Sequence, residues 1–386
     1  MIGFYFIAVW LVIFVSPILN FYYGFELWFI VPIFSTMIFS LRVYLYRFGV
    51  GWIFALLLIF LSVCSMIISF SVDVFYRGGV WILGIVTFSF IVLEISRQRE
   101  YVIYSAYEFI CFLVVFYAFY QYLSQLYGFP FWDREIYRGR TDLHGNYQVT
   151  SFFAEPAFLG VFITIAVYFQ LFLKNKVNYY LLICLLLCAF FSRSASSLLS
   201  ISLLMVLYLF IYFQFKYFFF VVVGIVPVTF LYAYSVVGKV LERLNDEVFS
   251  GFHDIFNYEV ISKTSSGSIR VLGEFKYFIY TLVNSPFIGF GIDYNYYLSN
   301  EGIERTMALN SIVEIFVRFG FVGLILIFSF FYYEKRNYPP KSYFAFFLLL
   351  FLVSFSDGAI AKPQYYIPLA MIFGLERSRV LNMVKK

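Results

Sequence analysis

Five arginines are the residues of this sequence best suited to chemistry, and each is placed at the outer end of a predicted span. They are Arg140, Arg193, Arg270, Arg305 and Arg318. A guanidinium keeps its charge in any environment and binds phosphate oxygens through paired N–H groups. The arginines therefore predict a site for a phosphate or pyrophosphate attached to a lipid, although Arg140 and Arg305 also suit ordinary surface charges.

Arg193 is the most informative of the five, because FFSRSASS joins two apolar segments with almost no loop. A charge at that position is costly unless it is paired or hydrated, although a long side chain can also snorkel to the interface. Arg270 has a comparable alternative in an i,i+4 pair with Glu274. Arg318 and Glu314 have the same spacing and either bind substrate or form a structural pair.

The candidate bases lie in the polar segments of the chain. Glu155 precedes Pro156, which suits the first position of a helix, so its carboxylate is either a favourable helix-end charge or a general base. His144 and His253 are the two histidines of the chain. Each is either a base or a solvated side chain, and the sequence does not choose between them.

The cysteines do not indicate a metal site. All four, Cys64, Cys111, Cys184 and Cys188, lie in apolar segments. Cys184 and Cys188 share a helix face, but no histidine or further cysteine stands nearby to complete a ligand set. We therefore interpret them as buried, inert thiols and expect neither a metal nor a cofactor.

The elements that position these residues are apolar helices. The 386 residues are 63% hydrophobic and only 13% charged, with a mean hydropathy of +0.87. Soluble domains have about 25% charged residues, so the fold class is an all-α polytopic membrane protein. With about 20 apolar residues per crossing, about 12 spans are predicted, with centres near Ala8, Phe34, Leu58, Val86, Leu113, Ile163, Leu185, Val206, Val223, Leu324, Leu349 and Leu369.

The distribution of basic residues predicts the orientation. Short connectors rich in Lys and Arg are cytoplasmic if both termini are inside, as the positive-inside rule requires. The long mixed-charge segments 125–155 and 238–306 then lie outside as loops of a single integral membrane domain, residues 1–386. Function is therefore expected outside the cytoplasm.

Within the 238–306 loop, apolar residues recur at helical spacing from Val271 to Val283. Ser268 suits the start of this helix and Pro286 its end. It is too short to span, so we predict an amphipathic helix in the outer interface that presents Arg270, Glu274, Tyr277 and Thr281 to the head groups. The glycines of Gly289-Phe290-Gly291 predict a turn, and the whole loop is interpreted as a lid over a membrane cavity.

Four segments in succession carry a resemblance to a known family. They are RTDLHGNYQVTSFFAEPAFLGVF, FFSRSASSLLSI, SGSIRVLGEFKYFIYTLVNSPFIGFGIDYN and LNSIVEIFVRFGFVGLILIF. Their order and topology resemble an O-antigen polymerase of the Wzy type, within the group that includes the O-antigen ligases. The resemblance covers most of residues 100–335, and only the succession of the segments is specific.

The resemblance implies a GT-C-like glycosyltransferase in the bacterial inner membrane. Its substrates would be undecaprenyl-pyrophosphate-linked glycans, used at the periplasmic face, with membrane lipids around it and a chain-length regulator protein as partner. Nucleic acid is not expected as a partner. Arg270, Arg193 and Glu155 would be catalytic, the two arginines by holding the pyrophosphate. Substrate-binding residues would be Arg140, Arg305, Asn310, Glu314, Arg318 and His253.

One departure from the family pattern separates the functional alternatives. The ligases typically have a histidine just before the asparagine that opens the span after the large loop, and here that residue is Leu309, before Asn310. This favours a polymerase over a ligase that transfers glycan to lipid A-core. The alternative from a different class is a lipid-linked oligosaccharide flippase. A flippase needs charged residues along a central pathway, whereas here Glu108 is the main ionisable residue away from the outer ends.

Overall fold

The computed structural model is all-helical in the part of the chain that it describes. That part comprises residues 8–12, 14, 30–42, 51–69, 71–97, 100–129, 148–153, 156–174, 176–192, 194–212, 277–294, 298, 311–335, 340–354 and 363–384. None of these residues lies in a β-strand. The predicted all-α class is confirmed for these ranges.

The longer helices of the described ranges are labelled here in chain order. They are α1 (Ile30–Arg42), α2 (Gly51–Ser69), α3 (Val72–Ile95), α4 (Glu100–Tyr127), α5 (Pro156–Tyr168), α6 (Tyr179–Ser192), α7 (Ala195–Tyr212), α8 (Ser311–Lys335), α9 (Pro340–Ser354) and α10 (Pro363–Val384). A π-helical turn, Phe169–Leu173, extends α5. Three helices begin with proline because its missing N–H and fixed φ suit the first helical position.

Among the described residues, five helices are long and apolar enough to cross a membrane. They are α2, α3, α4, α5 with its π turn, and α8. Helices α1, α6, α7 and α9 contain shorter apolar stretches. Every predicted span centre within the described ranges lies in a helix, whereas the centre near Val223 lies outside them. The chain is thus a multi-pass membrane protein, and the total of about 12 spans stays a prediction.

The chain divides into two compact units, each made of separate stretches. Unit 1 comprises Met1–Arg47, Leu83–Tyr208 and Lys335–Lys386, and unit 2 comprises Phe48–Ile82 and Leu209–Glu334. The single membrane domain expected over residues 1–386 stays a prediction. The same holds for the outer loop at 125–155 and the lid at 238–306, whose residues lie mostly outside the described ranges.

Helix α5 is buried along its length in unit 1. Phe162 and Phe169 are inaccessible to solvent, and their rings lie 6.1 and 4.7 Å from the ring of Tyr107 in α4. On another side α5 approaches α7 closely, because a Cβ on Gly160 would come 2.5 Å from the Ser197 Cβ. The Ser197 hydroxyl donates to the Gly160 carbonyl at 3.2 Å. Small residues of this kind allow membrane helices to pack backbone against backbone.

Two groups of charged side chains in the described part of unit 1 are paired among apolar helices. Glu108, the ionisable residue noted above, accepts from the Lys174 amino group at 2.5 Å. In α10, Arg379 bonds the Glu100 carboxylate at 3.2 Å and the Tyr104 hydroxyl at 2.5 Å. Pairing lowers the cost of placing charges near hydrocarbon, so Glu108 has a structural explanation that needs no transport pathway.

Candidate functional site

In unit 2, helix α8 is interrupted at Gly320, whose backbone is left-handed at φ 58° and ψ −155°. Two carbonyls before the break accept hydrogen bonds from the loop at residues 286–291. The Val317 carbonyl accepts from the Phe290 N–H and the Arg318 carbonyl accepts from the Gly291 N–H, each at 2.8 Å. Two N–H groups after the break donate to carbonyls of the same loop, at 2.8 and 3.1 Å. We call this reciprocal pairing the 286–291 clip. It restores hydrogen bonds that an apolar environment makes obligatory.

Glycines make the clip possible. A Cβ on Gly320 would come 2.4 Å from the Phe287 carbonyl carbon, and one on Gly289 would come 2.5 Å from the Arg318 carbonyl carbon. The loop is also tied to α2, because the Ile292 N–H donates to the Ser65 hydroxyl at 2.7 Å. The turn predicted at Gly289–Gly291 is confirmed, and its role is to hold the end of the half-helix that carries Arg318.

The predicted pair of Glu314 and Arg318 forms and is buried. Arg318 Nη2 lies 2.6 Å from Glu314 Oε1, with the side chains 6% and 7% exposed. The Arg318 Cζ also lies 5.0 Å from the centre of the Trp81 ring and 5.2 Å from that of Tyr294. Such cation–π contacts are stronger when desolvated. The guanidinium is therefore held by one carboxylate and two aromatic rings.

Several donors around this guanidinium have no acceptor within the described ranges. Arg318 Nε and Nη1, and the indole Nε1 of Trp81, are buried and make no hydrogen bond there. Nε has one hydrogen and Nη1 has two, so the two side chains hold four unpaired N–H hydrogens. A buried polar group without a partner costs about 1–3 kcal/mol. The cluster is thus rich in donors and suited to a ligand that brings acceptor oxygens.

The helix predicted in the large loop is described over residues 277–284 and ends before Pro286, as expected. Its predicted orientation is wrong. Tyr277 and Thr281, expected to face the head groups, are 2% and 0% exposed, whereas Val283 is 73% exposed. Tyr277 packs with Tyr294, while apolar side chains tolerate exposure because lipid is as apolar as they are. The predicted Ser268 cap, Arg270 and Glu274 lie outside the described residues.

In unit 1, a buried glutamine orders the segment before Glu155. The side-chain carbonyl of Gln121 accepts from the Thr150 and Ser151 N–H groups at 3.0 and 2.9 Å. The Gln121 amide donates to the Thr150 hydroxyl at 3.2 Å, and Ser151 has a left-handed φ of 53°. This arrangement fixes the backbone a few residues ahead of Glu155.

The same segment contacts the end of α6, directly before Arg193. The Val149 N–H donates to the Phe191 carbonyl at 3.2 Å. After Arg193, the Ser194 hydroxyl lies 3.3 Å from the position of a Cβ on Gly160. Residues that flank Glu155 and residues that flank Arg193 are therefore neighbours in unit 1.

Of the predicted site residues, Glu314 and Arg318 are described, and the structure brings them together. The remaining seven, Arg140, Glu155, Arg193, His253, Arg270, Arg305 and Asn310, lie outside the described residues. The sequence did not predict Trp81, Tyr294 or Gln121 as residues of the site. An indole or a glutamine in an apolar segment is a weak signal, although a buried indole or amide needs a hydrogen-bond partner.

The fold and these polar clusters define a multi-pass membrane protein with buried polar groups between its helices. Residues 180–328 match the family model described as O-Antigen ligase. The matched range includes FFSRSASS, the 286–291 clip and the Glu314–Arg318 pair. The match confirms the resemblance and supports a protein of the O-antigen ligase/polymerase group. No curated protein matches the chain.

The match indicates function only at the level of this group. It supports a glycosyltransferase-like membrane enzyme of O-antigen or related polysaccharide biosynthesis that acts on lipid-linked glycans. The group includes both polymerases and ligases.

Proposed function

We propose that the protein is a polymerase of lipid-linked oligosaccharide repeat units, acting at the periplasmic face of the bacterial inner membrane. The observation that carries the proposal is the hydrogen bond between Val149 and Phe191 at 3.2 Å. It joins the segment before Glu155 to the segment before Arg193. This backbone contact supports the proposal that Glu155, as a base, and Arg193, as a phosphate ligand, serve one site.

The proposed reaction transfers the growing glycan from one undecaprenyl pyrophosphate to another repeat. A hydroxyl of the incoming lipid-linked repeat attacks the anomeric carbon of the growing chain. The bond from that carbon to the pyrophosphate oxygen breaks, and undecaprenyl pyrophosphate leaves with the bonding electrons. The hydroxyl proton passes to a general base, for which Glu155 is the candidate. A general base must lie within hydrogen-bond distance of the hydroxyl that it deprotonates.

Arginines suit the leaving group in this reaction. Pyrophosphate needs its developing charge neutralised more than it needs a proton, and fixed guanidinium donors supply that stabilisation. Arg193 and Arg270 are proposed for this role on the motifs that resemble the family. Arg140, Arg305, Asn310 and His253 are proposed to line the same cavity.

Polymerase is favoured over ligase by Leu309, which replaces the histidine typical of the ligases. Ligase remains the second candidate because the matched family model is described as O-Antigen ligase. Deleting the gene separates them. A single repeat still attached to the lipid A-core indicates a polymerase, whereas the absence of all attached repeats indicates a ligase.

The direct experiment gives the purified protein a defined lipid-linked repeat and follows the glycan ladder on a gel. Arg193→Ala and Arg270→Ala are expected to abolish elongation while expression and membrane insertion persist. Arg→Lys at either position is expected to fail as well, because lysine cannot make the bidentate contact. Arg336→Ala, in a connector predicted to be cytoplasmic, is the matched control. A near-normal ladder from either alanine variant removes that arginine from the site.

A further inference from the structure

We propose that Trp81 and Arg318 form a subsite for a neutral acceptor oxygen of the glycan, distinct from the groups that hold the pyrophosphate. This inference rests on the proposed function in taking a glycan as the substrate. It adds Trp81 to the site and assigns Arg318 to the sugar instead of the phosphate.

The unpaired donors of the subsite indicate what it binds. The subsite has the indole N–H of Trp81 and three N–H hydrogens of Arg318, and none of them meets an acceptor within the described ranges. Trp81 and Arg318 are each 5% exposed. A ligand that satisfies these donors must bring oxygens that accept hydrogen bonds.

The charges of the subsite favour a neutral ligand. Arg318 is already neutralised by Glu314, because their nearest N and O atoms are 2.6 Å apart. A pyrophosphate brought to the same guanidinium would also meet the Glu314 carboxylate, and two like charges at such range in a buried place repel strongly. A neutral acceptor gains the hydrogen bonds without this repulsion. Glycans provide such acceptors as hydroxyl, ring and amide carbonyl oxygens.

The Arg318 donors are held in fixed positions. The rings of Trp81 and Tyr294 lie 5.0 and 5.2 Å from the Arg318 Cζ, and Glu314 holds Nη2. The backbone next to Arg318 is held by the 286–291 clip, since the Arg318 carbonyl accepts from Gly291 at 2.8 Å. A donor group whose position is set in this way loses little entropy on binding, which favours recognition of one particular sugar oxygen.

The test uses Trp81→Phe, which removes the indole N–H and keeps an aromatic ring beside the guanidinium. Binding to purified full-length protein in detergent is measured by calorimetry with two probes. One is the lipid-free repeat oligosaccharide released by mild acid from the producing cells, and the other is inorganic pyrophosphate. The loss of one hydrogen bond predicts oligosaccharide affinity about 3- to 10-fold weaker, with pyrophosphate affinity unchanged.

The matched control is Trp52→Phe, which removes an indole N–H elsewhere in unit 2, where the Trp52 ring packs edge-on to Phe330. It is expected to bind both probes as the wild type does. Unchanged oligosaccharide affinity in Trp81→Phe overturns the inference, as does an equal loss in both variants. Weakened pyrophosphate binding alone would instead make the cluster an anion site. If the wild type makes no polymer, the proposed function fails, while the oligosaccharide titration still decides this subsite.

Discussion

Removing Glu314 alone is expected to destabilise the protein far more than removing both members of its ion pair. The pair is buried, with side chains only 6% and 7% exposed and a separation of 2.6 Å. Glu314→Leu leaves the Arg318 charge buried without a counter-charge, which costs about 3–5 kcal/mol of folding free energy. Replacing both groups with apolar residues of similar volume is neutral or stabilising by about 1–4 kcal/mol.

The assay is the free energy of unfolding in mixed micelles, measured by denaturant titration for Glu314→Leu, Arg318→Met and the double variant. The comparison is Glu108→Leu, because the Glu108–Lys174 pair is 18% and 19% exposed. Water can reach the ammonium left behind, so a smaller loss is expected there than for Glu314→Leu. The double variant is expected to fold yet to bind the repeat oligosaccharide weakly, since it lacks the Arg318 donors. If Glu314→Leu lowers the free energy of unfolding by less than about 1 kcal/mol, Glu314 is not needed to neutralise a buried Arg318 charge, and the reasoning is refuted.

Two further substitutions test the structure around the candidate site. Gly320→Ala places a Cβ 2.4 Å from the Phe287 carbonyl carbon, at a position where the backbone φ is left-handed. We therefore expect the free energy of unfolding to fall by at least about 2 kcal/mol in the same titration. Gly79→Ala, whose Cβ meets nothing within 4 Å, should be neutral or slightly stabilising, and equal effects would contradict the clip. Gln121→Ala leaves two buried N–H groups without their acceptor and should cost at least about 2 kcal/mol. Gln125→Ala is its control, since Gln125 has no hydrogen-bond partner among the described residues, and a stable Gln121→Ala would show that the 148–153 segment is held by other contacts.

The sequence alone determined the features that depend on short-range spacing. Runs of about 20 apolar residues predict helices, since a backbone in hydrocarbon must pair its own polar groups. The four-residue interval between Glu314 and Arg318 puts both on one helix face, and they do pair at 2.6 Å. Pro286 and the glycines after it likewise predicted the end of a helix and a turn.

Only the tertiary structure decided which surfaces are buried and which distant groups meet. The helix at residues 277–284 was predicted with the wrong side outward: Thr281 is buried and Val283 is exposed. In a membrane protein burial need not follow polarity, because lipid is as apolar as a valine side chain. Trp81 and Arg318 are more than 200 residues apart in the sequence, and no local pattern links them. The break at Gly320 depends on the 286–291 clip, which pairs the backbone groups that the break leaves free. The tertiary structure therefore places Trp81 and the 286–291 clip around a predicted ion pair, and together they form a candidate binding site.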